Sequence, residues 1–328
     1  MSSTRTPTSW GHVAGAVLGL TALLALVLTA FAWPAARSAP RDVPIAVAAP
    51  APVAAQVERG LTTAAGAFDV RRVGSRAAAV SAIEDREVYG ALVVGPSGPR
   101  MLTASAAGPA VAQILGQVAA RMSAESPAGP VEVIDVVPLP EDDPRGAGLA
   151  AGALPLVLAG IAAAAVLSLR MSGPWRRLVG AVGFAVGGGL AVTAILQFWL
   201  GSLAGDYWLT SAVVSLAVGA VATTLLGLER VLGPAGLGVG AAVMLLLGNP
   251  LSGLTSAPEL LPSGWGALGQ LLPPGAAGTA LRSVAFFDGA GAGEALVVLG
   301  CWLAAGLLLC AVPVSRARRL RVAEPVAA

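Results

Sequence analysis

Six stretches of about 20 residues pass without a single Asp, Glu, Lys or Arg. They are Val13–Trp33, Gly148–Leu169, Leu178–Leu200, Leu209–Leu228, Leu232–Gly248 and Ala295–Val314. A helix rises about 1.5 Å per residue, so a run of that length matches a hydrocarbon core about 30 Å thick. Every formal charge falls between these runs or outside them. Only 12% of the 328 residues are charged and 56% are hydrophobic, whereas soluble proteins carry about 25% charged residues. The pattern predicts a polytopic α-helical membrane protein with six transmembrane helices. The net charge of +2 is too small to imply a nucleic-acid partner, so the position of each charge matters more than the sum.

All basic residues are arginine. Arg5 precedes the first run, Arg170, Arg176 and Arg177 lie between the second and third, and Arg230 lies between the fourth and fifth. Arg316, Arg318, Arg319 and Arg321 follow the sixth. Short cytoplasmic loops are enriched in Arg and Lys. Six spans with both termini in the cytoplasm place all these residues inside, in a cell (plasma) membrane. Pro34–Gly146, the turn "GSLAGDYW" and Asn249–Gly293 then lie outside. The first run has a second reading, as a cleaved signal peptide. Its apolar core exceeds the usual length of about 7–15 residues, which favours a retained anchor.

The chain divides into 1–34 (tail and first helix), 35–146 and 147–328 (a five-helix bundle with a short cytoplasmic tail). Region 35–146 reads as an extracytoplasmic α/β domain between the first and second spans. Val43–Ala49, "FDVRRV", Val88–Gly95, "RMLTAS" and Val131–Val137 read as strands. Pro50–Ala65, with Val53, Val57 and Leu61 on one face, reads as a helix, as does the segment bearing Val111, Ile114, Leu115, Val118 and Met122. Ser75 is placed to cap a third helix, and Asp143 to cap one that starts at Pro144 and runs into the second span.

No catalytic constellation is visible. The domain has no Gly-x-Ser-x-Gly elbow, no histidine and no metal-ligand spacing. The reading assigns no catalytic, cofactor-binding or metal-binding residue and no cofactor. With no lysine, the chain has no P-loop. Cys301 and Cys310 lie on opposite faces of one helix, which excludes a disulfide between them. His12, the one histidine, reads as an interfacial residue. Polar residues inside the runs include Thr193, Gln197, Ser215, Thr223 and Thr224, none of them ionisable. Ion-driven transporters keep titratable groups in their spans, because something must bind and release the ion. Any work on a cargo is therefore expected to come from another subunit. Glycines repeating every four residues (Gly11, Gly15, Gly19; Gly183, Gly187; Gly236, Gly240) suit close helix packing, within the chain or between two chains.

The stretch "NPLSGLTSAPELLPSGWGALGQLLPPGAAGTALRSVAFF" (Asn249–Phe287) is too apolar for a loop in water and too interrupted for one helix. Broken backbone at membrane depth is tolerated only when packed on protein or lining a cavity. The candidate elements are a re-entrant gate before the sixth span, within 249–292, and a partner-docking turn. Asn249, Pro258, Glu259, Pro262, Trp265, Pro273 and Pro274 carry the first; Arg170, Trp175, Arg176 and Arg177 of "RMSGPWRR" carry the second.

Three stretches resemble one family: "REVYGALVVGPSG" (Arg86–Gly98), "PLPEDDPRGAGLAAGALPLVLAGI" (Pro138–Ile161) and Asn249–Phe287. One span, an α/β outer domain and five further spans is the layout of type 2 ABC exporter permeases, and the chain looks like the phage-infection-protein-like branch. The resemblance implies two short re-entrant helices before the last span. It also implies a separate nucleotide-binding ATPase subunit and a homodimer or a heterodimer with a similar permease, surrounded by membrane lipid. The cargo is expected to be hydrophobic or amphiphilic. The chain departs from the pattern in its short N-terminal tail, in "AAPAP" after the first outer strand, and in lacking the long stalk of larger relatives. The alternative expectation is a non-transporting membrane protein whose outer domain binds an envelope component, a secreted protein or a phage.

Overall fold

The computed structural model describes residues 9–62, 66–96, 98–125 and 129–312. The charge-free runs fold as helices, and five are long and apolar enough to cross a membrane. These are α1 (Trp10–Ala36), α5 (Ala147–Arg170), α6 (Pro174–Ala194, continued by a π turn to Trp199), α7 (Tyr207–Leu232) and α11 (Gly293–Ala311). They support a protein embedded in a membrane. The run at Leu232–Gly248 gives a shorter helix, α8 (Pro234–Val243), ending in a π turn over Met244–Gly248. The cause is local: Gly233, at φ 75°, ends α7, and Pro234 takes the first position of α8. The arginine tail after the sixth run lies outside the described residues, as does Arg5.

Between α1 and α5 the chain builds a five-stranded mixed sheet in the order β2-β1-β3-β4-β5. Its strands are β1 (Val43–Ala48), β2 (Phe68–Arg72), β3 (Gly90–Gly95), β4 (Gly98–Thr103) and β5 (Glu132–Asp135). Crossovers through α2 (Ala51–Thr62) and α3 (Arg76–Glu84) make β1 parallel to β2 and to β3; β3 and β4 form a hairpin. α4 (Pro109–Glu125) returns the chain to β5, parallel to β4. Strand β1 is apolar along its length because both faces are covered, by α2 and α4 on one side and α3 on the other. Ser75 caps α3 by accepting from Ala78 N. Asp143 also caps, but α5 starts at Ala147 rather than Pro144. Its two carboxylate oxygens accept from Ala147 N and Gly148 N at 2.7 and 2.8 Å. Gly146, at φ 65°, delays the helix to that point.

Helix α7 is the axis of the bundle. Every residue from Ala217 to Gly227 is buried, and α5, α6, α8 and α11 pack around it. Gly236 and Gly240 let α8 approach Leu228 and Leu225 of α7 closely. The other two glycine repeats meet nothing comparable: Gly15, Gly19, Gly183 and Gly187 have open space where a Cβ would stand. Helix α1 stands apart from the bundle until its last turns, where Pro34 is buried and the Trp33 ring meets Trp265 edge-on at 5.4 Å. Cys301 and Cys310 are both free.

Candidate functional site

Proline dictates how the Asn249–Phe287 stretch folds. Pro258 opens a 3-10 turn (Pro258–Leu260), and Pro273 opens α10 (Pro273–Phe286) with Pro274 beside it. Between them lies α9 (Trp265–Gln270). Missing N–H groups cost nothing at helix starts, and each proline forbids continuation from the preceding element. The pieces pack backbone against backbone. A Cβ on Gly269 would stand 1.8 Å from the Leu251 carbonyl oxygen, and one on Gly266 would stand 2.2 Å from that of Pro258. Pro274 packs on Gly248, Pro262 is half-buried, and the buried Asn249 Oδ1 accepts no hydrogen bond. The expected pair of short helices is thus a 3-10 turn and two helices, with α10 buried along almost its whole length.

This stretch is fastened to the α/β domain. Ala39 N and Arg41 N donate to the carbonyls of Leu260 and Glu259, both at 3.0 Å. The Arg41 guanidinium donates to the carbonyls of Leu260 and Leu261. Ala257 and Leu260 enter the core on one face of the sheet, and Phe287 enters the core on the other. The connection between the last two apolar helices therefore closes the bottom of the domain on both faces.

Four polar side chains meet at this junction. Tyr89 donates its hydroxyl to Glu259 Oε2 at 2.7 Å. Arg86 donates to the Thr279 carbonyl at 3.1 Å and to Ser283 Oγ, and its guanidinium lies over the Phe287 ring at 5.3 Å. Arg282 is 5% exposed. Its Nη2 donates to the Leu254 carbonyl at 3.2 Å, and its buried Nε has no acceptor. Burial, with the Glu259 carboxylate beside it, pushes the Tyr89 phenol above the ordinary tyrosine range, so it stays a donor; the two arginines act the other way. Burial pushes the Arg86 guanidinium down, against Tyr89 and Glu259.

These groups line a cavity of about 360 Å³ between the domain and the helices, with Gln270, Thr279 and Glu294 among its other polar walls. Pro44, Val88, Leu271, Ala295 and Val298 supply apolar ones. On its other side Arg282 borders a smaller space of about 50 Å³ with Arg145 and Thr255. An apolar crevice between α5, α7 and α10 holds only about 30 Å³.

Of the seven gate residues, Glu259 and Pro258 line the large cavity. Trp265, Pro262, Pro273, Pro274 and Asn249 shape the elements around it. Arg86, Tyr89 and Arg282 were not foreseen. The available signal was Arg282 itself, because Glu259 and Arg282 are the only formal charges in Asn249–Phe287. An isolated charge in so apolar a stretch is itself a reason to expect a site.

The docking-turn residues lie at the opposite end of the bundle. Arg177 is held inward: it pairs with Glu229 of α7 at 3.0 Å and donates to the carbonyls of Ser168 and Met171. Ser168 Oγ donates to the same carboxylate at 2.6 Å. Arg170, Trp175 and Arg176 are exposed. Among the described residues, no group of His, Cys, Asp and Glu is placed to hold a metal ion. No family model, curated protein or solved structure matches the chain.

Proposed function

We propose that the chain is the membrane-spanning permease subunit of an ATP-driven exporter of the type 2 ABC kind. It works with a separate ATPase subunit, as a homodimer or a heterodimer with a similar permease, in the cell membrane. The α/β domain lies outside and both termini lie in the cytoplasm. The arginine distribution supports this orientation, since Arg170, Arg176, Arg177 and Arg230 gather at the end remote from the domain. The observation that carries the reading is the cavity of about 360 Å³ between the domain, the broken connection and α11, with both polar and apolar walls. Such a space suits an amphiphilic cargo better than a bare ion. The charge-free runs of the spans support work on the cargo entering from another subunit.

One observation favours the second reading, a non-transporting protein whose outer domain binds an envelope component, a secreted protein or a phage. Arg177, one of the three arginines at the docking turn, is already engaged within the bundle. Purification of the full chain from its own membranes separates the two. The permease reading expects an ATPase to co-purify and to be lost when Arg170, Trp175 and Arg176 are replaced together by alanine. Absence of any ATPase, with binding of an envelope partner retained by that triple variant, would favour the second.

A further inference from the structure

Arg282 and Arg86 line one cavity, and neither has a carboxylate within 4.0 Å among the described residues. Glu259 Oε2 already accepts from Tyr89. Arg282 is 5% exposed, and among the described residues its guanidinium donates to one backbone carbonyl. Glu259 and Glu294 also border the cavity, but neither stands at ion-pair distance from an arginine. A buried guanidinium with an unfilled donor is costly, and its planar fork of donors matches phosphate oxygens. The volume, about 360 Å³, falls in the range of small-ligand sites, about 300–1,000 Å³. The cavity is bordered by Leu271 and Val298, and the surface beside them is apolar and open: Leu271 is 60% exposed and Val297 66%. A molecule with its anionic head at the arginines would lay its apolar part on that surface.

We propose that this cavity is a headgroup site for an anionic phospholipid, with the phosphate held by Arg282 and Arg86 and the acyl chains lying along α11 beside Leu271 and Val298. The inference concerns binding alone and stands whether or not the chain transports. Arg282 supplies the unpaired charge; Arg86, braced by Thr279, Ser283 and Phe287, supplies the second.

The test uses the delipidated full chain in an uncharged detergent, with three probes: short-chain phosphatidylglycerol, short-chain phosphatidylcholine and inorganic phosphate. Bound lipid is counted by native mass spectrometry. Phosphatidylglycerol is expected to bind, and Arg282→Gln to weaken it by about thirtyfold or more, as loss of a buried charge partner does. A second arm keeps both arginines. Val298→Cys, with Cys301 and Cys310 replaced by alanine, is labelled with a thiol reagent. Phosphatidylglycerol is expected to slow that labelling, with phosphatidylcholine and inorganic phosphate leaving it unchanged. Equal protection by phosphatidylcholine, equal protection by inorganic phosphate, or equal phosphatidylglycerol binding by wild type and Arg282→Gln would each overturn the proposal.

Discussion

The bundle carries an arginine held inward at each end, and the two are kept in opposite ways. Arg177 meets the Glu229 carboxylate and two backbone carbonyls, while Ser168 completes the acceptor's shell. Arg282 is more deeply buried, yet has one carbonyl partner and an orphaned Nε. Structural ion pairs are stable when every donor and acceptor is matched, and an unmatched charge is a standing cost. The difference teaches which end fastens helices together and which end is built around something absent from the chain itself. The Arg177 end ties α5, α6 and α7; the Arg282 end adjoins a cavity.

The comparison breaks most severely if the close packing at the junction is disturbed. Gly269→Ala places a methyl group 1.8 Å from the Leu251 carbonyl oxygen, far inside van der Waals contact. It is expected to cost about 3 kcal/mol or more, the upper range for overpacking. Gly187→Ala, where a Cβ meets open space, is expected to gain up to about 1 kcal/mol from helix propensity. Thermal unfolding of both variants in detergent gives the contrast, and equal stabilities would contradict it.

Arg177→Gln comes next. It strands the Glu229 carboxylate, whose side chain is 15% exposed, and is expected to cost about 2–3 kcal/mol, somewhat less than a fully buried pair. Arg282→Met sharpens the contrast in the opposite direction. Because it removes an unpaired charge, lipid-free stability should change by less than about 1 kcal/mol or rise. A loss matching that of Arg177→Gln would mean that Arg282 has a partner after all.

Among the substitutions expected to destabilise, the smallest loss is at Tyr89. Tyr89→Phe removes the hydrogen bond to Glu259 and is expected to cost about 1–2 kcal/mol. Its size falls at alkaline pH. A phenol pushed up in the folded state keeps its proton there, while the unfolded chain releases it near the ordinary value of about 10. The stability Tyr89 contributes is full below that value and declines above it, so wild type should lose stability relative to Tyr89→Phe in that alkaline range. Unfolding midpoints that stay parallel across it would contradict the burial of Tyr89.

Much of this architecture was legible in the sequence because it rests on local signals. Charge-free runs marked α1, α5, α6, α7 and α11, and apolar strands bounded by glycine, proline and polar residues marked the sheet. The caps at Ser75 and Asp143 were readable from single residues, although Gly146 moved the start of α5. The run at Leu232–Gly248 forms the shorter helix α8 and its π turn, and its hydropathy does not reveal that Gly233 and Pro234 set where the helix starts. The junction was not legible, because its partners are far apart in sequence. Tyr89 meets Glu259, Arg86 meets Thr279 and Ser283, and Arg41 meets Leu261 only after the sheet and the broken connection have folded together. Glu259 stands among the candidate gate residues, but its partner Tyr89 lies outside any local pattern. The arginines of the docking turn looked alike in sequence, and only the fold separates inward Arg177 from exposed Arg170 and Arg176.

The most direct measurement sets the two arginines side by side. Melting temperatures of wild type, Arg177→Gln and Arg282→Gln are recorded in uncharged detergent, with and without short-chain phosphatidylglycerol. The account predicts that Arg177→Gln melts lower in both conditions and keeps the full lipid-dependent rise. It predicts that Arg282→Gln melts close to wild type without lipid and loses the rise. A variant at Arg282 that melts as low as Arg177→Gln without lipid and still gains the full increment would contradict it.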